Sequence, residues 1–394
     1  MSEKWITSLM GDVVEVAAGQ PAPQGSDQFT HCGPPFVRAG SLGYLVAGGD
    51  EDDLEHIDNE AARKFGLRLF PTGTVLFAKS GMSALNGFVH CLTKPCYVVS
   101  HLAALVPRSS LVPTYLAYWL RSNPPSRLIG NSAYPSIRLS QIAHLKIEHP
   151  RTVIEQRHIV AILDKANTIR RKRRDAIRLI DELLRSTFLD LFGDPITNPM
   201  NWPMGPIGDL AAAVQYGTSA KAGSTGAFKI LRMGNITYEG GWDFSDMKFI
   251  DLAPDEVQRY SVNKGEVLFN RTNSRELVGK TAVFREEEPM IYAGYLVKLT
   301  VNDRADGEYV GAVMNTRSMK AYLRAKCKNI IGMANINASE FKAIPVPIPP
   351  IKLQKKFASI VHKTLRARER LTSALQEADK LFSAIESRAF KGAL

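Results

Sequence analysis

Apolar residues recur three and four positions apart from about Val153 to Phe192, at Ile159, Ile162/Leu163, Ala166, Ile169, Ile177, Ile180, Leu184, Thr187/Phe188 and Leu191. This spacing predicts a long helix with one apolar stripe, interrupted where Arg173 takes a seam position. A second run of the same period occupies Leu353, Phe357, Ile360/Val361, Thr364/Leu365, Leu371, Ala374/Leu375, Ala378, Leu381/Phe382 and Ile385. Neither stretch contains Pro or Gly. Some 35 residues at 1.5 Å each give rods of roughly 50 Å, far beyond an average helix of three or four turns. Each rod needs an apolar partner of its own length, so the two are expected to pack on each other.

The rods belong to a repeat. Arg151-Thr-Val-Ile-Glu-Gln156 has a counterpart in Pro350-Ile-Lys-Leu-Gln354, and the two glutamines lie 354 − 156 = 198 positions apart in a chain of 394. Upstream of each rod the pattern changes to short β-type runs. Met10-Gly-Asp leads to Gly19 as Ile207-Gly-Asp leads to Gly217. Phe36-Val-Arg38-Ala-Gly40-Ser41 matches Ile230-Leu-Arg232-Met-Gly234-Asn235, and Gly73-Thr-Val-Leu-Phe77 matches Gly265-Glu-Val-Leu-Phe269. Tyr97 to Leu105 and Ile291 to Leu299 read as a buried strand, followed by short helices at Tyr115–Leu120 and Tyr309–Met314. Pseudo-two-fold symmetry between the halves then requires antiparallel rods with a globular block at each end.

The expected class is α+β: two pseudo-symmetric globular α/β domains separated by two long antiparallel helices forming a coiled coil. The boundaries fall at 1–150 for the first block, 151–195 for the central helix, 196–348 for the second block and 349–394 for the C-terminal helix. Gly193-Asp-Pro195 to Pro203, rich in turn formers, ends the first helix.

Charge changes the picture from architecture to partner. The chain has 50 Lys and Arg against 39 Asp and Glu, a net charge of +11, which favours a polyanion. Between Lys165 and Arg185 the balance is 8 − 3 = +5, with Arg171 and Arg174 in the run. A solvated helix face accounts for such a run as it stands; phosphate contact along a duplex is the functional alternative. Sequence reading needs donors and acceptors on rigid supports, and the polar segments after the two Val-Leu-Phe strands have that composition. Lys79 and Ser80 in the first block and Arg271, Thr272, Asn273 and Ser274 in the second are therefore candidate DNA contacts, as are Arg38 with Ser41, Arg232 with Asn235, and Lys280.

Four cysteines are too few for a disulfide framework in a chain of this length, which points to a reducing cytoplasm. The opening residues lack a secretory pattern, and no apolar run reaches the roughly 18 residues that span a bilayer, so no membrane is expected. Catalytic motifs are weak. Asn123-Pro-Pro-Ser126 resembles a methyltransferase amine-holding motif, but serine stands where an aromatic would stack on a flipped base. Val278-Gly279-Lys280-Thr281 ends like a phosphate-binding loop yet has Ser274 where glycine is needed. His90, Cys91, Cys96 and His101 fit no standard zinc spacing, and buried free thiols are the simpler reading. No metal ligand set and no catalytic residues are expected.

The doubled proline-to-glutamine segment, Pro347-Ile-Pro-Pro-Ile-Lys-Leu-Gln354 and His149-Pro-Arg-Thr-Val-Ile-Glu-Gln156, each followed by a long helix, resembles the specificity subunit of type I restriction-modification enzymes. Leu184 to Pro195 and Gly265 to Lys280 are also typical of that family. The first copy departs from the pattern at Pro150-Arg-Thr-Val, and Ala78-Lys-Ser-Gly-Met-Ser replaces the Asn-Arg-Thr-Asn-Ser loop. The resemblance implies two target-recognition domains, each reading one half of a bipartite double-stranded DNA site. It also implies helices that dock two methyltransferase subunits, which bring S-adenosylmethionine, with restriction and translocase subunits binding the assembled methyltransferase. On that reading the chain is a non-catalytic recognition subunit acting in the cytoplasm. Two rivals remain at this point: a self-contained methyltransferase or endonuclease, and a coiled-coil adaptor without DNA binding.

Overall fold

Two segments wholly free of Pro and Gly fold as unbroken helices, Val153–Phe192 and Ile351–Ala389. The computed structural model describes residues 5–25, 28–330 and 333–393. The chain divides into two units, Met1–Arg173 with Ala374–Leu394, and Arg174–Ser373, so that each unit holds part of both long helices.

In the first unit the strand Val75–Ala78 is central to a four-stranded antiparallel sheet, with Leu102–Pro107 on one side and Val89–Cys91 on the other; Val14–Ala18 completes it. All four residues of Val75–Ala78 are buried. Alternate side chains explain why: Val75 and Phe77 enter a core with Tyr115, Ile159, Leu163 and Phe382, whereas Leu76 and Ala78 enter another with Phe36, Phe70 and Tyr97. A strand covered on both faces reads as a continuous apolar run. The stretch Tyr97–Leu105, expected as one strand, is instead two, Cys96–Val98 and Leu102–Pro107, in different sheets and joined by a tight turn. Cys96–Val98 pairs parallel with the strand holding Phe36 and Val37.

The second unit repeats this plan. Val267–Asn270 lies between Leu296–Val301 and Thr281–Val283, and Ala211–Tyr216 forms the far edge. Val267 and Phe269 face a core with Phe188, Phe192, Tyr309 and Phe357, and Leu268 faces a smaller one with Leu231, Phe284 and Tyr292. The glycine that opens each central-strand motif has positive φ, 85° at Gly73 and 88° at Gly265, which is why glycine precedes both strands.

Within each unit the helix segments run antiparallel. In the first, Asp164 bonds Tyr118, whose ring lies 6.4 Å from Phe382, Arg170 pairs with Asp379 at 2.6 Å, and Arg173 donates to the carbonyl of Ala374. In the second, Arg368 pairs with Asp181 at 2.9 Å and Phe188 meets Phe357 at 5.6 Å. The seam is less regular than its spacing suggests: Ile169 and Leu381 are 43% and 60% exposed. Arg170 takes their place by laying its guanidinium 4.2 Å over the Phe382 ring. The Arg173 interruption is thus a polar cross-link between helices.

A glutamine anchors the start of each long helix. Gln156 is wholly buried; its amide oxygen accepts from Val112 N–H at 2.8 Å and its amide nitrogen donates to the carbonyls of Ser110 and Pro150, both at 3.0 Å. Gln354, equally buried, accepts from Asp306 N–H at 2.9 Å and donates to the carbonyls of Arg304 at 3.1 Å and Pro349 at 2.8 Å. Nearby, Tyr115 and Tyr309 donate to the carbonyls of Glu148 and Pro347.

Gln354→Leu strands one N–H and two carbonyls away from water, and should lower unfolding stability by about 3 kcal/mol in chemical denaturation. Phe357→Ala, which empties a site shared by Phe188 and Phe192, should cost about 3–5 kcal/mol in the same measurement.

Candidate nucleic-acid interface

The polar residues after each central strand are held by the same hydrogen-bond frame in both units. Lys79 N–H donates to His101 O at 2.9 Å, and Ile137 N–H donates to Lys79 O at 2.7 Å. At the equivalent position Arg271 N–H donates to Tyr295 O at 3.1 Å, and Ile336 N–H donates to Arg271 O at 2.9 Å. One neighbour is the turn before the next core strand; the other is a returning segment some 60 residues downstream.

That turn is built identically in each unit. Val99 N–H reaches Val37 O at 3.0 Å, Leu102 N–H reaches Val99 O at 3.0 Å, and Ser100 N–H reaches Gln20 O at 2.8 Å. Their counterparts are Ala293 to Leu231 at 2.9 Å, Leu296 to Ala293 at 2.9 Å, and Gly294 to Thr218 at 2.8 Å. Gly19 and Gly217 permit this approach: a Cβ at Gly19 would lie 1.9 Å from Val98 O and one at Gly217 2.2 Å from Tyr292 O. The glycines that close each opening motif are therefore required by backbone crossing.

Side chains differ on this shared frame. In the first unit Lys79 and Ser80 are half-buried, and Ser80 Oγ lies 2.8 Å from His101 Nδ1. In the second, Arg271 donates from Nε to Gly294 O at 3.1 Å, and its guanidinium carbon sits 4.9 Å from the centre of the Tyr216 ring. Thr272 and Asn273, expected in a polar loop, form a short strand paired with Asn335 and Ala334. Asn335 Nδ2 donates to Thr272 Oγ1 at 3.1 Å and reinforces the pairing. Thr272, Asn273 and Ser274 all remain half-buried at this rim.

The other repeated turn is placed differently. Arg38 pairs with Glu55 at 2.6 Å and stacks 4.8 Å from Phe29. Ser41 N–H closes its turn on Arg38 O at 3.0 Å, as Asn235 N–H does on Arg232 O at 2.9 Å. Arg232 binds Asp246 at 2.9 Å, a bond that holds the Asp246 carboxyl below the usual carboxylate range. Two of the expected contacts lie inside. Asn235 is 2% exposed, with its amide donating to Asp243 O at 2.8 Å; Lys280 is 8% exposed, with Nζ donating to Met233 O at 2.7 Å and Ile236 O at 2.5 Å. Burial of polar groups demands such partners, so these two side chains support the turn from within. Lys320, absent from the sequence expectations, completes the support by donating to Tyr238 O. Burial pushes the pKa of Lys280 down, and that of Lys320 down to about 8.

Arg171 and Arg174 are exposed on the first long helix. Among the described residues no group of three or more His, Cys, Asp or Glu is arranged to hold a metal ion. His90 is bonded to Glu51 at 2.8 Å, and burial pushes the Cys91 and Cys96 thiols up to about 11 and about 12. No helix among them is long and apolar enough to cross a membrane.

Comparison with known proteins gives one consistent pattern. The family model for the type I restriction modification DNA specificity domain matches residues 2–178 and again 199–378. The EcoKI specificity subunit of Escherichia coli is 25% identical over 193 residues, 47% of this chain and 41% of that protein. The StySPI specificity subunit of Salmonella potsdam is 19% identical over 385 residues, 91% of this chain and 82% of that one. The chain thus spans about two fifths of the Escherichia coli relative in one alignment and most of the Salmonella one in the other. The crystal structure of the type I restriction-modification S subunit from M. genitalium superposes with TM-score 0.61 at 13% identity, covering 99% of this chain and 97% of that one. A chain from a structural study of complex assembly and conformational transition in the type I R-M system gives TM-score 0.58 at 15% identity, covering 100% and 99%. At these identities the structures establish the fold.

A pH dependence follows from Lys320. Its pKa falls from an ordinary 10.5 to about 8 on folding, so between those values the unfolded chain binds more protons than the folded one. Stability should therefore rise with pH across that window and be lost as pH falls through about 8. Denaturation of Lys320→Met at about pH 8 and pH 10 should show a smaller rise than the unaltered chain.

Proposed function

The chain belongs to the type I restriction modification DNA specificity family, and on that premise we propose that it is the sequence-specific DNA-recognition subunit of a type I restriction-modification complex. One observation carries this reading: the same hydrogen-bonded frame occurs twice and offers different polar side chains at its rim, Lys79 with Ser80 in one unit and Arg271 with Thr272, Asn273 and Ser274 in the other. A repeated support with unlike side chains suits a bipartite site whose halves differ in sequence.

Recognition surfaces are assigned to residues 1–150 and 196–348, with the long helices as scaffold and as the docking surface for two methyltransferase subunits. Exposed basic residues such as Arg171 and Arg174 contact phosphates, which sets position without reading sequence. Arg38, Ser41 and Arg232 border the recognition surface, and Asn235 and Lys280 act by holding its turns. Methyl transfer belongs to the partner subunits, which bring S-adenosylmethionine; restriction and translocase subunits bind the methyltransferase so formed. The chain's own task is positioning, carried out in the cytoplasm where the DNA lies.

Co-expression with its methyltransferase subunits should leave a bipartite methylated motif on host DNA, and specific binding should weaken steeply with salt; a salt-insensitive chain without DNA affinity would indicate a protein adaptor instead. Arg271→Ala combined with Asn273→Ala should relax selection in one half of the motif by about tenfold or more, given roughly 1–3 kcal/mol per base contact. Methylome sequencing reads the outcome, and equal loss in both halves would contradict modular recognition.

A further inference from the structure

The turn that receives the Lys79 and Arg271 backbones carries one exposed side chain in each unit. His101 is exposed, and Tyr295 is 51% exposed although the neighbouring Leu296 is fully buried and Ala293 nearly so. Neither ring is part of the buried packing of the strands that clamp its turn. Its sequence also varies where its backbone does not: His101 and Tyr295 make the same main-chain bond but present different polar atoms, ring nitrogens in one and a phenolic hydroxyl in the other.

Both turns are tied by side chains to the polar residues already assigned to the rim. Ser80 Oγ engages His101 Nδ1 at 2.8 Å, which orients the imidazole and leaves Nε2 as its remaining polar atom. Arg271 Nε engages Gly294 O at 3.1 Å, immediately before Tyr295. Two independent cross-links at one position make the turn and the post-strand segment a single surface in each unit. Histidine and tyrosine suit base edges in different ways. A ring nitrogen offers one directional donor or acceptor, whereas a phenol adds a hydroxyl to a flat face at the entropic cost of only two side-chain torsions.

We propose that His101 and Tyr295 are further specificity-determining residues, His101 contacting a base of one half-site and Tyr295 a base of the other, beside the residues at 79–80 and 271–274. The inference rests on the DNA-recognition reading and adds a second element to each recognition surface, supplied by the turn between two sheets.

The test uses the full chain co-expressed with its methyltransferase subunits in a host lacking adenine methylation, with the methylated motif read by sequencing. His101→Ala should widen one position in one half of the motif, with discrimination there falling about tenfold, and leave the other half unchanged. Tyr295→Ala should do the converse. Thermal unfolding of both variants should match the unaltered chain; should Tyr295→Ala or His101→Ala fail to fold, Tyr295→Leu or His101→Gln carries the same measurement. Unchanged motifs in folded variants, or equal loss in both halves, overturn the inference. Absence of any bipartite motif with the unaltered chain would instead sink the recognition reading, and this assignment with it.

Discussion

A buried amide at the root of each long helix is the interaction on which the rest depends. Gln156 and Gln354 join three pieces of chain: the first turn of the helix, the proline-marked segment before it, and the loop that starts a short core helix. Glutamine suits this role because one side chain must accept from an N–H and donate to two carbonyls. Leucine would leave all three unpaired, and glutamate would set a negative charge against carbonyl oxygens. With the amide in place, the direction of the helix is coupled to the core that supports the central strand.

From that strand outward the logic is one of rigidity at the backbone and freedom at the rim. Val75–Ala78 and Val267–Asn270 are buried on both faces, so the residue that follows each emerges from a fixed point. Main-chain bonds to the turn and to the returning segment then hold that residue on both sides. Side chains beyond this point can change without disturbing the frame, and Lys79 and Arg271 differ while their backbones are bonded alike. Function can diverge on such a support because its main-chain bonds form alike whichever side chain the residue carries.

Much of this was legible in the sequence, and the physical reason is locality. Both long helices were bounded by residues alone because periodic apolar positions, absent Pro and Gly, and flanking turn formers act over a few neighbours. The repeat was visible because glycines at 19, 73, 217 and 265 are demanded by backbone geometry. What escaped was nonlocal. Thr272 and Asn273 became a strand only because Asn335 and Ala334 return to pair with them. Lys280 reads from the sequence as a candidate DNA contact, and only the fold brings the Met233 and Ile236 carbonyls to its ammonium. The turn at His101 was hidden inside an apolar stretch that runs through two strands of different sheets.

The division of the chain also has a temporal side. Residues 174–373 form one uninterrupted unit, whereas the other takes Phe382 and Ala389 into a core otherwise built from residues before 174. The interior of the half that is made first is therefore completed only by residues synthesised after the whole of the other half, so its closure cannot precede the synthesis of that other half.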